Sequence, residues 1–131
     1  MQTQLVLTAL AAALSLAAGP APSAAKSPVE TKPNACFWTR NADGFAAQGD
    51  RVVNVRVGVR DVYRFELMGS CPDIDWSNRI ALVSRSGSTI CTGMDAEIVT
   101  RTAIGPQRCP VRSTRKLNPE EVAALPKGAR P

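Results

Sequence analysis

Hydrophobic and polar residues alternate regularly between residues 51 and 68. One face of this stretch consists of β-branched, aromatic and leucine side chains: Val53, Val55, Val57, Tyr63, Phe65 and Leu67. The positions between them are polar: Asn54, Arg56, Arg64 and Glu66. Because successive side chains of a strand point to opposite faces, the pattern predicts an antiparallel hairpin with one buried and one solvent-exposed face. Gly58 and Asp61 mark its turn.

Shorter apolar segments predict further strands at intervals of about ten residues. These segments comprise residues 36–39, 79–84, 89–92, 97–100 and 108–114. Residues 41–44 have the composition of a turn. Residues 85–88 have it too, and we expect them to join residues 79–84 and 89–92 in a second hairpin. The pattern predicts a mainly β fold, a small antiparallel sandwich or barrel.

A helical pattern begins near the C-terminus. Asn118 offers an N-cap, Pro119 occupies the first helical position and Glu121 the third, which together are typical of a helix start. Pro126 ends the pattern after one to two turns. We therefore predict a short C-terminal helix and assign residues 126–131 to a tail.

The N-terminal residues are typical of a signal peptide. Residues 1–25 contain no charged side chain, and residues 5–18 are mainly apolar. This apolar run is too short to span a bilayer but suits the core of a signal peptide. We predict cleavage after Ala25, with residues 17–19 as the second candidate site, and no transmembrane segment in the mature protein. Residues 26–35 then form a flexible leader.

The predicted domain, residues 36–125, is small and contains four cysteines. In a short exported chain this predicts two disulfides and a periplasmic or secreted location. The gaps between cysteines are 35, 20 and 18 residues and the chain has no histidine, which argues against structural zinc. Of the three possible pairings we favour Cys71 with Cys91, which would close the second hairpin, and Cys36 with Cys109, which would join the first and last strands.

The absence of histidine removes the commonest general base and metal ligand, and paired cysteines offer no thiol nucleophile. Asp73 and Asp75 would share one side of an extended segment and, with Asp95, form a candidate acidic site. Such residues also form turns by bonding to the backbone. The sequence from Asp73 to Ser84 starts like a calcium-binding loop. However, Asn78 stands at the position of the required glycine and Ser84 at that of the closing glutamate. We therefore predict no bound metal or cofactor.

Basic side chains outnumber acidic ones by 16 to 11, and most of them are arginine. The candidate anion-binding residues are Arg56, Arg60, Arg64, Arg108 and Arg112. Guanidinium groups make bidentate contacts with carboxylate or phosphate, so an anionic envelope component or a protein is a candidate partner. The same charges also keep the polar face of a sheet soluble. The few aromatic residues mostly suit the core, which argues against a stacking platform for nucleic acid.

Several short motifs resemble those of a known family. They are Cys36-Phe37-Trp38, residues 63–67, residues 69–73, Ile90-Cys91 with Asp95, and residues 105–111. Together with the four cysteine positions, they are similar to a family of small exported proteins of Gram-negative bacteria known only as a domain of unknown function. The resemblance covers residues 36–125 and implies export and a disulfide-bearing, β-rich domain. It implies no activity, substrate or catalytic residue.

These observations favour a non-enzymatic binding module that contacts its partner through arginine-rich and loop surfaces. Two alternatives remain open. A hydrolase dependent on carboxylates or a cation would use Asp73, Asp75 and Asp95, and it requires that these three groups converge in one cleft. An inhibitor of an envelope-degrading enzyme requires a protruding loop, for which residues 85–88 are the candidate.

Overall fold

The computed structural model describes residues 35–92 and 96–131. Its strands are β1 (Phe37–Trp38), β2 (Ala42–Ala47), β3 (Val52–Val57), β4 (Asp61–Leu67), β5 (Ile80–Ser84), β6 (Thr89–Ile90), β7 (Ala96–Thr102) and β8 (Gly105–Lys116). The described helices are α1 (Pro119–Ala124) and two short 3₁₀ helices, Thr39–Asn41 and Lys127–Ala129. The fold is mainly β with a short helix near the C-terminus, as predicted.

Six strands form one antiparallel sheet in the order β2-β3-β4-β8-β7-β5. The sheet curves into a half-barrel, and β2 and β5 are its two edges. A two-stranded ribbon of β1 and β6 lies over the inner face. The ring of Phe37 on β1 lies 4.5 Å from that of Tyr63 and 6.3 Å from that of Phe65, measured between centroids. The hydrophobic core therefore sits between the curved sheet and this ribbon.

Strands β3 and β4 form the predicted hairpin. Val53 is opposite Phe65 and Val55 is opposite Tyr63, and all four side chains are buried. Gly58 has a φ of 64° in the turn, a conformation that glycine adopts without a Cβ clash. The alternating pattern thus predicted the strands, the buried face and the turn of this element correctly.

The predicted second hairpin is wrong. Strand β5 pairs with β7, where Leu82 is opposite Ile98, and β6 pairs with β1, where Ile90 is opposite Phe37. Residues 85–88 do turn the chain, but they lead it from the sheet edge to the ribbon. In the ribbon Ile90 is fully buried, whereas as the next strand beyond β5 it would extend the sheet edge into solvent.

The disulfides join Cys36 to Cys91 and Cys71 to Cys109, so the pairing that we favoured from the sequence is wrong. That pairing depended on the second hairpin. Because β1 lies beside β6, the cysteine before β1 meets the cysteine after β6. Cys71 follows β4, and β4 pairs with β8, which contains Cys109. Two disulfides indicate an oxidising compartment.

The C-terminal residues cover part of the face that we predicted to be exposed. Asn54 is fully buried, and its Nδ2 donates a hydrogen bond of 2.8 Å to the carbonyl oxygen of Ala129. Ala129 is buried as well. Residues 127–129, within the segment that we assigned to a tail, therefore pack against the outer face of the hairpin.

Helix α1 begins with the predicted capping box. The Asn118 side chain accepts a hydrogen bond of 2.8 Å from the backbone N–H of Glu121, and the Glu121 carboxylate accepts one of 2.9 Å from the backbone N–H of Asn118. Arg115 donates to the same carboxylate at 2.8 Å. Below the helix lies a second apolar cluster, formed by Val62, Leu117, Leu125 and, in part, Val122. The helix is thereby held against the end of the sheet.

Candidate functional site

Three of the five candidate anion-binding arginines are engaged by carboxylates of the same chain. The contacts are Arg56 with Asp43 at 2.9 Å, Arg64 with Glu66 at 3.9 Å and Arg108 with Glu97 at 3.1 Å. Arg60 lies in the turn between β3 and β4 and Arg112 lies in β8; within the described residues neither pairs with a carboxylate. The ion pairs reduce the positive charge that this surface offers to an anionic partner.

Glu97 on β7 accepts hydrogen bonds from two arginines. Arg85 donates at 3.0 Å and Arg108 at 3.1 Å. These two contacts lower the pKa of the Glu97 carboxyl below its ordinary value. The Arg85–Glu97 ion pair thus connects the loop of residues 85–88 to β7. All four residues of that loop are exposed.

The two described members of the candidate acidic site lie in a turn. Asp73 has a φ of 62°, and its carbonyl oxygen accepts a hydrogen bond of 3.2 Å from the backbone N–H of Trp76. Asp73 and Asp75 are both exposed and line different hollows. Asp95 lies outside the described residues. Nothing in residues 35–92 and 96–131 groups three potential metal ligands together.

A concave feature lies between the two edge strands of the half-barrel. We call it the seam cleft. It has a volume of about 540 Å³. Its lining residues are Thr39, Ala42, Asp43, Gly44, Phe45, Val55, Asn78, Arg79, Ile80 and Leu82. Part of this wall is the start of β2, at residues where we expected a turn, so that prediction is wrong; a β-bulge separates Ala42 from Gly44 there.

The floor of the seam cleft is apolar and its rim is polar. Phe45 from β2 and Ile80 and Leu82 from β5 are partly buried and pack on the core. Asp43 on the rim is held by an ion pair, whereas Arg79 pairs with no carboxylate in the part of the chain that the structure describes. The cleft therefore offers an apolar floor, a polar rim and an available guanidinium group at its edge.

Both walls of the seam cleft are strands with one unpaired edge. Strand β2 pairs only with β3, and β5 pairs only with β7, among the described elements. The 3₁₀ helix Thr39–Asn41 contacts β5 near one end of the gap. Such edges present backbone N–H and C=O groups that another strand can pair with.

Three further hollows surround the turn of residues 71–79. One of about 310 Å³ lies beside Trp76 and Arg79, one of about 360 Å³ lies between this turn and the C-terminal residues, and one of about 550 Å³ extends towards Ile104. Asn78 lines the first two of these hollows and the seam cleft. The turn thus stands at the centre of a group of adjacent concave surfaces.

Sequence reasoning missed the two features on which this site depends. The seam cleft exists only once β2 and β5 are known to be the sheet edges, and that order follows from pairings distant in sequence. We expected most aromatic residues to suit the core, but Trp76 is 84% exposed while Ile74 is buried. A polar environment on both sides of Trp76 was the available signal.

A comparison with protein-family models matches residues 1–131 to a family described as "Family of unknown function (DUF6491)". No curated protein matches the chain. No solved structure matches it either. In the described residues, no helix is long and apolar enough to cross a membrane.

Proposed function

The chain belongs to this family of unknown function, and we propose that it is a non-enzymatic binding module that takes up an extended polypeptide segment in the seam cleft. The observation that carries the proposal is the pair of strand edges, unpaired among the described elements, that face each other across a cleft with an apolar floor. A peptide that pairs with one edge would hydrogen-bond to its backbone and direct alternate side chains into the groove, the mode known as strand addition.

The size and chemistry of the cleft suit such a segment. Its volume of about 540 Å³ falls within the range of about 300–1,000 Å³ that is common for ligand sites. The partly buried floor residues Phe45, Ile80 and Leu82 would contact apolar side chains of the peptide. Arg79 at the rim would pair with a carboxylate, so we expect acidic side chains in the flanking positions of the ligand.

Export is part of the proposal. Two disulfides indicate an oxidising compartment, and we propose that residues 1–25 act as a signal peptide cleaved after Ala25. Residues 1–34 lie outside the described residues, so their role rests on the sequence alone. The periplasm and the cell exterior both provide the oxidising conditions that the disulfides need.

The alternatives lack an observation that favours them. A carboxylate hydrolase requires convergent acidic groups, but Asp73 and Asp75 line separate hollows. Inhibition of an envelope-degrading enzyme through residues 85–88 stays a prediction. Their exposure fits an inhibitory loop, but exposure is common to many turns.

The proposal can be tested by amide NMR with a heptapeptide of alternating valine and glutamate. We expect shifts of backbone amide signals concentrated in β2 and β5. The matched control is the same peptide with alternate backbone amides N-methylated, which keeps its side chains but cannot pair fully as a strand. Arg79→Glu should weaken binding by roughly tenfold or more through loss of a charge-assisted contact, whereas Arg112→Glu, on β8, should change it little.

Shifts that fall on the outer face of β7 and β8, or equal binding of the N-methylated peptide, would contradict strand addition. Absence of shifts in both edge strands with a panel of acidic and basic heptapeptides would overturn the proposed function. The native oxidised protein is used throughout, because reduction would release the ribbon that covers the core.

A further inference from the structure

Trp76 is exposed on a turn that is firmly held. Its neighbours anchor this turn: Ile74 is 1% exposed, and Cys71 is fully buried and disulfide-bonded to β8. The carbonyl oxygen of Asp73 accepts hydrogen bonds from the backbone N–H of Trp76 at 3.2 Å and from the Ser77 hydroxyl at 3.0 Å. An indole that is 84% exposed is thus presented to solvent by a turn that is anchored in the core, an arrangement that lowers the cost of ordering on binding.

The hollow beside this indole, which we call the Trp76 hollow, is lined mainly by polar residues. Its residues are Asp73, Trp76, Ser77, Asn78, Arg79, Arg101, Thr102 and Ala103. Six of these eight side chains are polar or charged. Arg79 and Arg101 pair with no carboxylate among the residues that the structure describes. The hollow therefore combines one large aromatic surface with hydrogen-bond acceptors, donors and two available guanidinium groups.

We propose that the Trp76 hollow binds a sugar ring that carries a carboxylate, as part of an acidic saccharide. A pyranose ring has a face of C–H groups that can lie on the indole and a rim of hydroxyl groups that both donate and accept hydrogen bonds. Asp73 and Asn78 are placed to bind hydroxyls, and Arg79 and Arg101 to pair with the carboxylate. The volume of about 310 Å³ is at the lower end of small-ligand sites.

An apolar partner or a bilayer core fits this hollow less well. Covering Asp73, Arg79 and Arg101 with apolar material would desolvate charged groups without giving them partners, which is costly. Ile104 is 99% exposed, but it lines the neighbouring hollow and not this one. A saccharide supplies partners for both the indole and the charges. This ligand differs from the peptide proposed for the seam cleft, so the two proposals can fail separately.

The test uses the intrinsic fluorescence of Trp76. The chain has two tryptophans, and Trp38→Phe leaves Trp76 as the only one. The probes are cellotetraose and β-1,4-linked tetraglucuronate, which share linkage and ring configuration and differ in oxidation at C6. We expect tetraglucuronate to change the fluorescence and to bind roughly tenfold tighter than cellotetraose, in a salt-dependent manner.

Two variants assign the contacts by calorimetry. Arg101→Gln should reduce the preference for tetraglucuronate severalfold, whereas Arg112→Gln on the outer strand surface should not. Trp76→Ala should abolish measurable binding of both saccharides, and circular dichroism should show an unchanged fold because the side chain is exposed.

Several results would overturn the proposal. One is the absence of a fluorescence change with either saccharide at about 10 mM. The others are equal affinity for the neutral and acidic saccharides, and unchanged binding after Trp76→Ala. A response of Trp76 to vesicles containing phosphatidylglycerol, without a response to tetraglucuronate, would also reject it and assign the surface to membrane contact.

Discussion

Replacing Ile74 by alanine tests whether the turn that presents Trp76 is built into the core. Ile74 is 1% exposed and belongs to the main hydrophobic cluster. Trp76, two residues further on, is 84% exposed. The two residues share one turn and differ mainly in burial, so Trp76→Ala is a matched control for Ile74→Ala.

The expected magnitude follows from the buried atoms. Ile74→Ala removes three buried carbon atoms, and at about 0.8 kcal/mol for each the transfer contribution is about 2.4 kcal/mol. A cavity contribution adds to it, because the disulfide next to the turn limits how far the site can collapse. We therefore expect a loss of about 3 kcal/mol in the free energy of unfolding, within the range of about 2–5 kcal/mol known for such changes. In a domain of this size that corresponds to a fall in Tm of about 12–24 °C.

Urea denaturation and thermal unfolding of the oxidised protein measure both variants. Trp76→Ala should lie within about 0.5 kcal/mol of the parent protein, as expected for an exposed position. A cost below about 1 kcal/mol for Ile74→Ala would show that the turn is not anchored in the core. A cost for Trp76→Ala as large as that for Ile74→Ala would show that the indole packs inward, and the argument for the Trp76 hollow would fail.

Two further predictions concern the disulfide that links the two strands of the ribbon and the dependence of stability on pH. Proteolysis without reduction should yield a fragment that joins Cys36 to Cys91, and mass spectrometry showing any other partner for Cys36 would refute the β1–β6 pairing. The pKa of Glu121 lies below its ordinary value of 4.5 because the backbone N–H of Asn118 and then Arg115 bond its carboxylate. Its stabilising contribution is present above the unfolded pKa and lost as pH falls through the lower folded pKa. The free energy of unfolding should therefore decline between about pH 5 and pH 3, and Glu121→Gln should flatten that decline in urea titrations; parallel curves would count against this role.

The local elements of the fold were predictable from the sequence because their signals are local. The β3–β4 hairpin has period-two alternation and a glycine turn, and the capping box at Asn118 lies within four residues. Each signal is complete within a short segment. In these two segments the local preference agrees with the global fold.

The sheet order was not predictable in this way, and the disulfide error followed from it. The loop of residues 85–88 is consistent with a hairpin, but a turn fixes only that the chain reverses, not which strand lies beside the next. The burial of Ile90 over the core decided the pairing of β6 with β1. Asn54 shows the same limit, since its burial depends on Ala129, 75 residues further along the chain.

The candidate site was hidden from sequence reasoning for a geometric reason. In an extended strand Ile74 and Trp76 would point to the same side, whereas in a helical turn residues two apart are separated by about 200°. Because residues 73–77 form a turn held by hydrogen bonds to the carbonyl of Asp73, one apolar side chain must face the core and the other solvent. The smaller one is inside, next to the disulfide, and the larger one is left beside two arginines. The exposure of this indole beside two arginines is the feature on which the proposed saccharide site depends.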